Sequence, residues 1–154
     1  MEATRKELIV SAIENGTVID HIPADKVFKV IDILGLQGMG SQMTIGVNLD
    51  SRTMGKKGII KIADKFFEPE EVDRIALVAP HAKLNIIRGY RVEHKEQVEV
   101  PAQIVGIVKC INPKCITNVQ DVTPKFVVES TSPMRLRCAY CDKVSGQEQI
   151  LESI

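Results

Sequence analysis

The sequence predicts an α+β fold with a ferredoxin-like N-terminal domain and a small all-β, cysteine-rich C-terminal domain. Three observations lead to this prediction. The first hundred residues alternate between strand and helix periodicity, all four cysteines lie in the last third, and 154 residues suffice for one large or two small domains. We place the boundary after Val100, which gives domains 1–100 and 101–154.

The first strand and the first helix follow a turn signal at Asn15-Gly16. Thr17-Val18-Ile19 is typical of a short strand, which we expect to end at Asp20-His21. An amphipathic helix is predicted from Asp25, with Gly35 placed just beyond its end. Its apolar residues recur at i, i+3, i+4 and i+7, namely Val27, Val30, Ile31 and Leu34.

Four more strands and a second helix complete the N-terminal pattern. Met43–Leu49 alternates apolar and polar residues, and Ile59–Ala63 forms the next predicted strand. A helix begins at Pro69, where acidic neighbours favour the positive end of the helix dipole. Strands at Lys83–Ile87 and Tyr90–Lys95 follow. The order β-α-β-β-α-β plus one strand predicts a ferredoxin-like sheet with both helices on one face.

The C-terminal segment is too short to rely on an apolar core alone. Phe126-Val127-Val128 and Met134–Arg137 are predicted strands, with Ser132-Pro133 turning between them. A bound metal is one way to stabilise so small a unit. We therefore expect a rubredoxin-like or zinc-ribbon β module.

The cysteines occur as Cys110-x4-Cys115 and Cys138-x2-Cys141, separated by 22 residues. Two close pairs allow two loops to hold one ion, and four thiolates complete a tetrahedral zinc site with no open position. The sequence therefore predicts one structural zinc ion per chain.

Two disulfides, unrelated buried thiols and a rubredoxin-like iron site are the alternatives for these cysteines. No apolar signal segment follows the first charged residues, so we expect a cytoplasmic protein. Disulfides are disfavoured because that compartment is reducing. The colour and metal content of the purified protein distinguish iron from zinc.

Composition argues against two classes of partner. No apolar run approaches the length of a membrane span. Basic and acidic residues number 20 each, and aromatic residues make up 4% of the chain. Nucleic-acid binders usually carry a basic surface and stacking aromatics, so we expect neither nucleic acid nor a membrane as the partner.

Several segments together resemble one known family. They are Gly16–Pro23 (GTVIDHIP), Met54-Gly55-Lys56-Lys57, Ile60-Lys61-Ile62, Ala79-Pro80, Asn85, Tyr90 and the two cysteine pairs. In this order they resemble the regulatory chain of aspartate carbamoyltransferase, from about Glu7 to the end of the chain. The resemblance implies a non-catalytic, allosteric subunit of pyrimidine biosynthesis.

The resemblance also implies ligands and partners. In that family the N-terminal domain binds nucleotide effectors, with CTP as inhibitor and ATP as competing activator. The zinc domain docks on the catalytic chain, and the N-terminal domains pair to form regulatory dimers. Two catalytic trimers are bridged by three such dimers in a hetero-oligomer.

The implied effector site has matching chemistry in this chain. Lys61 and Lys95 match phosphate-binding lysines. Asp20 matches the acid beside the ribose, where a carboxylate accepts bonds from hydroxyls, and His21 lies near the phosphates. The residues implied around the base and at the edge of the site are Val10, Ala12, Ile13, Tyr90, Val92, Asn85 and Lys57.

Ser11 departs from the better-known members, which carry an acid there. Without the resemblance, lysines such as Lys61 and Lys95 would be interpreted as ordinary surface residues. Asn112 and Asp142, in the two cysteine loops, are candidate contacts to the catalytic chain.

Two other classes of function remain open from the residues. Arg135, Arg137 and Lys143 near the second cysteine pair fit a zinc-ribbon nucleic-acid binder. The Asp20-His21 pair with lysines fits an enzyme acting on a phosphorylated substrate, although no nucleophile motif accompanies it.

Overall fold

The computed structural model describes residues 12–154, which form two antiparallel sheets. The strands of the first sheet are β1 (Gly16–Pro23), β2 (Met43–Ser51), β3 (Gly55–Ala63), β4 (Lys83–Arg88) and β5 (Arg91–Gln97). Those of the second are β6 (Gln103–Val105), β7 (Lys125–Thr131), β8 (Met134–Cys138) and β9 (Val144–Gly146). The α-helices are α1 (Val27–Ile33), α2 (Pro69–Val78), α3 (Ile116–Val119) and α4 (Gln147–Ser153). Across this part of the chain, none of the helices has the length and apolar character that a membrane span requires.

The first sheet has the strand order β2-β3-β1-β4-β5. Its first four strands have the order and antiparallel pairing of a ferredoxin-like sheet, and β5 is added at the edge beside β4. Helices α1 and α2 cover one face, where Ile19, Ile60 and Leu84 are buried in one cluster with residues of both helices. The α+β prediction is confirmed. Among residues 12–154 no helix covers the other face of this sheet, which is called the open face below.

Strand β1 is longer than the sequence predicts, because it continues through Asp20 and His21 to Pro23. A bulge interrupts its pairing with β3 between Ile19 and Ile22, and His21 adopts a positive φ of 58°. A bulge changes the direction of side chains relative to the regular ladder. Asp20 and His21 are therefore held within the sheet and not in a following loop.

Two glycines are required by close approach of the backbone. Gly16 begins β1 with φ 145°, and a Cβ atom there would lie 2.0 Å from the carbonyl oxygen of Ile62. Gly58 in β3 faces the start of α1, where a Cβ atom would lie 1.9 Å from Val27 Cγ2. Both positions place neighbouring elements closer than any side chain permits.

The second sheet has the order β6-β7-β8-β9 and includes both strands predicted from the sequence. Strands β6 and β9 and helices α3 and α4 were not predicted; the longest of them has seven residues. Phe126, Leu136 and Ile150 are fully buried in its core, together with three of the cysteines. The core of this small unit therefore combines apolar side chains with cysteine side chains.

The two sheets are joined by shared packing as well as by the chain. Leu77 of α2 is fully buried in the cluster of the second sheet. Leu151 and Ile154, at the end of α4, pack against the cluster of the first. Division into domains 1–100 and 101–154 stays a prediction, and α2 contributes to both cores.

Candidate functional site

The open face of the first sheet carries a row of four residues on four neighbouring strands. Val18 of β1 pairs directly with Lys61 of β3 and with Asn85 of β4, and Asn85 pairs with Lys95 of β5. Directly paired residues in a sheet project to the same face. Strand pairing thus aligns Lys61, Asn85 and Lys95, which are far apart in the sequence.

A second row lies next to the first and includes Asp20. Asp20 pairs with Lys83 of β4, which pairs in turn with Gln97 of β5. Lys57 Nζ lies 3.0 Å from Asp20 Oδ1, so this carboxylate has a cation partner. The two rows border a cavity of about 380 Å³, lined by Asp20, His21, Lys83, Asn85, Lys95, Glu96 and Gln97.

The other end of this face is apolar. Ile13, Val18 and Ile87 form a buried cluster, and Ile59 and Ala63 pack against it. Candidate base-contacting residues adjoin this cluster. Val92 pairs with Ile87, the Tyr90 N–H donates to the carbonyl of Glu14, and Ala12 and Tyr90 are exposed. Cationic and apolar surfaces therefore lie side by side, as a nucleotide requires.

His21 has a buried ring nitrogen in the cavity wall that finds no hydrogen-bond partner among residues 12–154. Its Nδ1 is buried and makes no hydrogen bond, the nearest Asp20 oxygen being 3.5 Å away. Burial lowers the pKa of His21; Asp20 opposes this effect, and Lys57 and Lys83 add to it. The ring is therefore mostly neutral near pH 7, and an anionic ligand would favour its protonation.

The structure brings most of the predicted site residues together. Asp20, His21, Lys57, Lys61, Asn85 and Lys95 share one face, with Ile13 and Val92 on its apolar side. Val10 and Ser11 lie outside the described residues. Sequence reasoning missed Lys83, Val18 and Ile87. Alternation along β4 places Lys83 on the face of Asn85, and this signal was available once the strand was assigned.

The four cysteines form a second candidate site, with their Sγ atoms all within 4.8 Å of one another. Cys110 Sγ lies 3.6 Å from Cys141 Sγ, and Cys115 Sγ lies 3.7 Å from Cys138 Sγ. Tetrahedral zinc with bonds of about 2.3 Å separates its sulfurs by about 3.8 Å. The residues fit a tetrahedral metal ion, and none of the four cysteines is in a disulfide.

Hydrogen bonds fix the first cysteine loop. Asn118 Nδ2 donates to the carbonyls of Cys110 and Asn112, both at 2.8 Å, and Thr117 Oγ1 donates to Cys115 Sγ. Burial raises the pKa of the Cys110 thiol to about 12, so a cation is needed to hold it as a thiolate. Burial also acts to raise the pKa of Cys141, but hydrogen bonds, beginning with the Lys143 backbone, lower it to about 7.

The candidate partner-contact residues have different surroundings. Asn112 Oδ1 accepts from the Lys114 N–H, so this half-buried side chain serves the loop itself. Asp142 is exposed and pairs with Arg137 at 3.0 Å. Sequence reasoning missed three exposed apolar residues near the cysteines, Ile116, Val119 and Tyr140. They lie on α3 and in the second cysteine loop, and exposed apolar groups in such a position are candidates for a protein contact.

Two family models match the chain. The model for the aspartate carbamoyltransferase regulatory chain, allosteric domain, matches residues 8–99. The model for the metal-binding domain of the same chain matches residues 102–151. Between them they cover both sheets and both candidate sites.

Full-length relatives agree with these matches. The chain is 52% identical over 150 residues to the aspartate carbamoyltransferase regulatory chain of Bacteroides fragilis, covering 97% of this chain and 98% of that protein. It is also 52% identical over 150 residues to the regulatory chain of Pyrococcus horikoshii, covering 96% and 99%. The regulatory chain of Porphyromonas gingivalis is 52% identical over 146 residues.

Proposed function

Because the chain belongs to the aspartate carbamoyltransferase regulatory chain family, we propose that it transmits nucleotide effector binding to the catalytic chain of that enzyme. It is a regulatory subunit and not itself the catalyst. CTP is the inhibitor, ATP is the competing activator, and both occupy the open face of the first sheet. The effect is control of a step in pyrimidine biosynthesis.

The observation that carries this proposal is the row of Lys61, Val18, Asn85 and Lys95 on adjacent strands. Lysines at two positions of the row supply fixed cations for a triphosphate. Asp20 accepts hydrogen bonds from the ribose, and the apolar end around Ile87 receives the base. In this proposal the site binds an effector and catalyses no reaction, so none of its residues acts as a nucleophile.

We propose that the metal in the four-cysteine site is one zinc ion per chain. Four thiolates leave no position for water or substrate, so its function is to shape the second sheet. The loops that it ties together carry the exposed residues Ile116, Val119 and Tyr140. Metal analysis of the purified protein tests this assignment, and a red protein containing iron would contradict it.

We further propose that this zinc module docks on the catalytic chain and that two regulatory chains pair through their N-terminal domains. Two catalytic trimers and three regulatory dimers then form the complete assembly. An effector shifts such an assembly only if it binds one quaternary state more tightly, with a coupling free energy of about 1–3 kcal/mol in typical cases.

Mixing the chain with an aspartate carbamoyltransferase catalytic trimer tests the proposal directly. We expect a complex in size-exclusion chromatography, with aspartate carbamoyltransferase activity that falls with CTP and rises with ATP. Failure to associate would contradict the assigned partner. Association without any response to either nucleotide would contradict the effector assignment alone.

Substitutions in the row test the binding site. Lys61→Gln and Lys95→Gln each remove one cation of the open face, and we expect CTP affinity to fall about tenfold. Lys29→Gln is the matched control, because Lys29 lies on α1, on the opposite side of the sheet. Equal affinity of all four proteins for CTP would place the effector elsewhere.

The nucleic-acid alternative has less support from the described residues. Arg137, one of its three basic residues, is paired with Glu129 and Asp142. A filter-binding titration against salt separates the two functions, because phosphate-backbone contacts give a steep negative dependence on salt concentration.

A further inference from the structure

Lys83 is a cation of the open face to which the preceding assignment gives no role. It lies on β4, two residues before Asn85, and therefore projects to the same side of the sheet. Its direct partners are Asp20 on β1 and Gln97 on β5. Its side chain lines the cavity together with Lys95 and His21.

Within the described part of the chain, no ion pair neutralises the positive charge of Lys83. Asp20 lies directly opposite, but both of its carboxylate oxygens are within 3.2 Å of Lys57 Nζ. Among residues 12–154 no carboxylate forms an ion pair with Lys83 or with Lys95. A cavity bordered by two such ammonium groups attracts anions.

The register also fixes the spacing of these two lysines. Lys83 pairs with Gln97 and Asn85 pairs with Lys95, so Lys83 and Lys95 occupy diagonal positions on neighbouring strands. Residues in diagonal positions are rooted roughly 7–8 Å apart. A chain of two or three phosphates can contact both ammonium groups without forcing them together. A single phosphate contacts both only if two like charges converge on it.

His21 lines the same cavity and lies within the electrostatic reach of Lys83. Its unpartnered Nδ1 is buried, and Lys83 is one of three charged groups that affect its protonation. A ligand phosphate near Lys83 would therefore also be close to a buried ring nitrogen that lacks a hydrogen-bond partner among residues 12–154.

We propose that Lys83 is a further phosphate-binding residue of this site and that it favours effectors with several phosphate groups over those with one. The identification of the ligand as a nucleotide rests on the function proposed above. The contribution of Lys83 to polyphosphate binding rests on its own position and charge.

Equilibrium binding to the full-length, zinc-loaded chain tests the proposal. The proteins are the unaltered chain, Lys83→Gln, Lys83→Arg and the control Lys29→Gln, and the ligands are CTP, CDP, CMP and inorganic tripolyphosphate. We expect Lys83→Gln to lower the affinity for CTP and for tripolyphosphate about tenfold. This is the change produced by losing about 1.4 kcal/mol of binding free energy. The affinity of Lys83→Gln for CMP should fall less than threefold. Lys83→Arg should retain most of the affinity for CTP and tripolyphosphate, because it keeps the positive charge.

Salt dependence provides a second measurement that a purely structural role would not change. Added salt screens the attraction between the cavity and a polyanion. We expect CTP affinity to fall less steeply with salt in Lys83→Gln than in the unaltered chain and in Lys29→Gln. Far-UV circular dichroism and zinc content confirm that each variant is folded.

Each outcome distinguishes this inference from the proposed function. Unchanged CTP affinity in Lys83→Gln, or equal losses for CTP and CMP, would overturn the role of Lys83 while leaving the effector site in place. Binding of tripolyphosphate but not CTP, again weakened in Lys83→Gln, would support Lys83 and contradict the nucleotide function. Failure of the unaltered chain to bind any of the four ligands would overturn both.

Discussion

Lys57 Nζ lies 3.0 Å from one carboxylate oxygen of Asp20 and 3.2 Å from the other. Asp20 is inside β1, and Lys57 belongs to β3, so the contact spans the bulge between these strands. The cation reduces the repulsion that a carboxylate would exert on ligand phosphates. It also fixes the carboxylate where a ribose hydroxyl can donate to it. Asp20 is thus suited to a sugar contact beside the lysines of the cavity.

Asp20→Asn should reduce the discrimination between ribose and deoxyribose. A hydrogen bond to a charged group contributes about 1.5–3 kcal/mol, so we expect the unaltered chain to bind CTP at least tenfold more tightly than 2′-deoxy-CTP. The amide should reduce this ratio severalfold. Isothermal titration calorimetry with both nucleotides measures it.

Inorganic tripolyphosphate is the control ligand for Asp20→Asn, because it has no sugar. Its affinity should stay constant or increase, since the substitution removes a negative charge beside Lys57. An unchanged ratio of CTP to 2′-deoxy-CTP affinity would show that Asp20 does not contact the ribose.

The protonation of His21 should couple effector binding to pH. The pKa of His21 in the ligand-free protein lies below its ordinary value of 6.5, because of burial, opposed by Asp20 and assisted by Lys57 and Lys83. Ligand phosphates favour the protonated ring and raise this pKa. Proton uptake therefore accompanies binding. CTP affinity should rise as pH falls from 7 into the range between the pKa of His21 in the ligand-free protein and its pKa in the CTP-bound protein.

His21→Gln separates this effect from titration of CTP itself, because the nucleotide titrates identically with both proteins. The difference between their pH profiles should vanish above about pH 7. The unfolded chain takes up this proton near pH 6.5 and the folded chain only at lower pH. Stability contributed by neutral His21 is therefore lost as pH falls below 6.5. Parallel CTP profiles for the two proteins would contradict the coupling.

The order of elements in the first sheet could be predicted because its strands and helices have strong periodicity. Met43–Ser51 and the apolar residues Val27, Val30 and Ile31 illustrate the two patterns. The bulge at Asp20 and His21 could not be predicted, since it depends on how β1 pairs with β3. Short elements such as β6, β9 and α3 contain too few residues to show a period.

The candidate site was only partly accessible from sequence for a similar reason. Lys61 and Lys95 were selected by resemblance, but their alignment with Val18 and Asn85 depends on strand order. Lys83 was within a predicted strand, and its importance became evident only when Asp20 was placed opposite. The cysteines needed no such information, because their spacing alone indicates a shared metal.

Removal of zinc should abolish assembly with the catalytic trimer while CTP binding largely survives. The four cysteines that would bind the ion lie on two loops of the second sheet, whereas the proposed nucleotide site lies on the first. Without the ion, Cys110 and its three neighbours no longer hold these loops together. Dialysis against a chelator, followed by chromatography with the trimer and CTP titration, measures both properties.

Cys138→Ser should reproduce the effect of the chelator, and re-addition of zinc should restore assembly only to the unaltered chain. Normal assembly of the zinc-free chain would contradict the division of roles between the two sheets.

Val119→Ser should weaken association with the catalytic trimer. Val119 is 64% exposed on the helix that follows Cys115, and burying it against a partner would contribute about 1–2 kcal/mol. We expect roughly a tenfold loss of affinity. Phe28→Ser is the matched control, because Phe28 is 65% exposed but lies on α1 of the other unit. Equal losses for both variants, or none for Val119→Ser, would argue against docking through this surface.

Leu77→Ala should loosen the zinc module although the residue belongs to the N-terminal pattern. Leu77 is fully buried in the core of the second sheet, and truncation of a buried leucine costs about 2–5 kcal/mol. Ile75→Ala is the control, because Ile75 is equally buried two residues away but packs in the first core. Thermal unfolding monitored by a zinc-sensitive dye should show earlier zinc release in Leu77→Ala than in Ile75→Ala. The reverse order would mean that α2 does not support the second sheet.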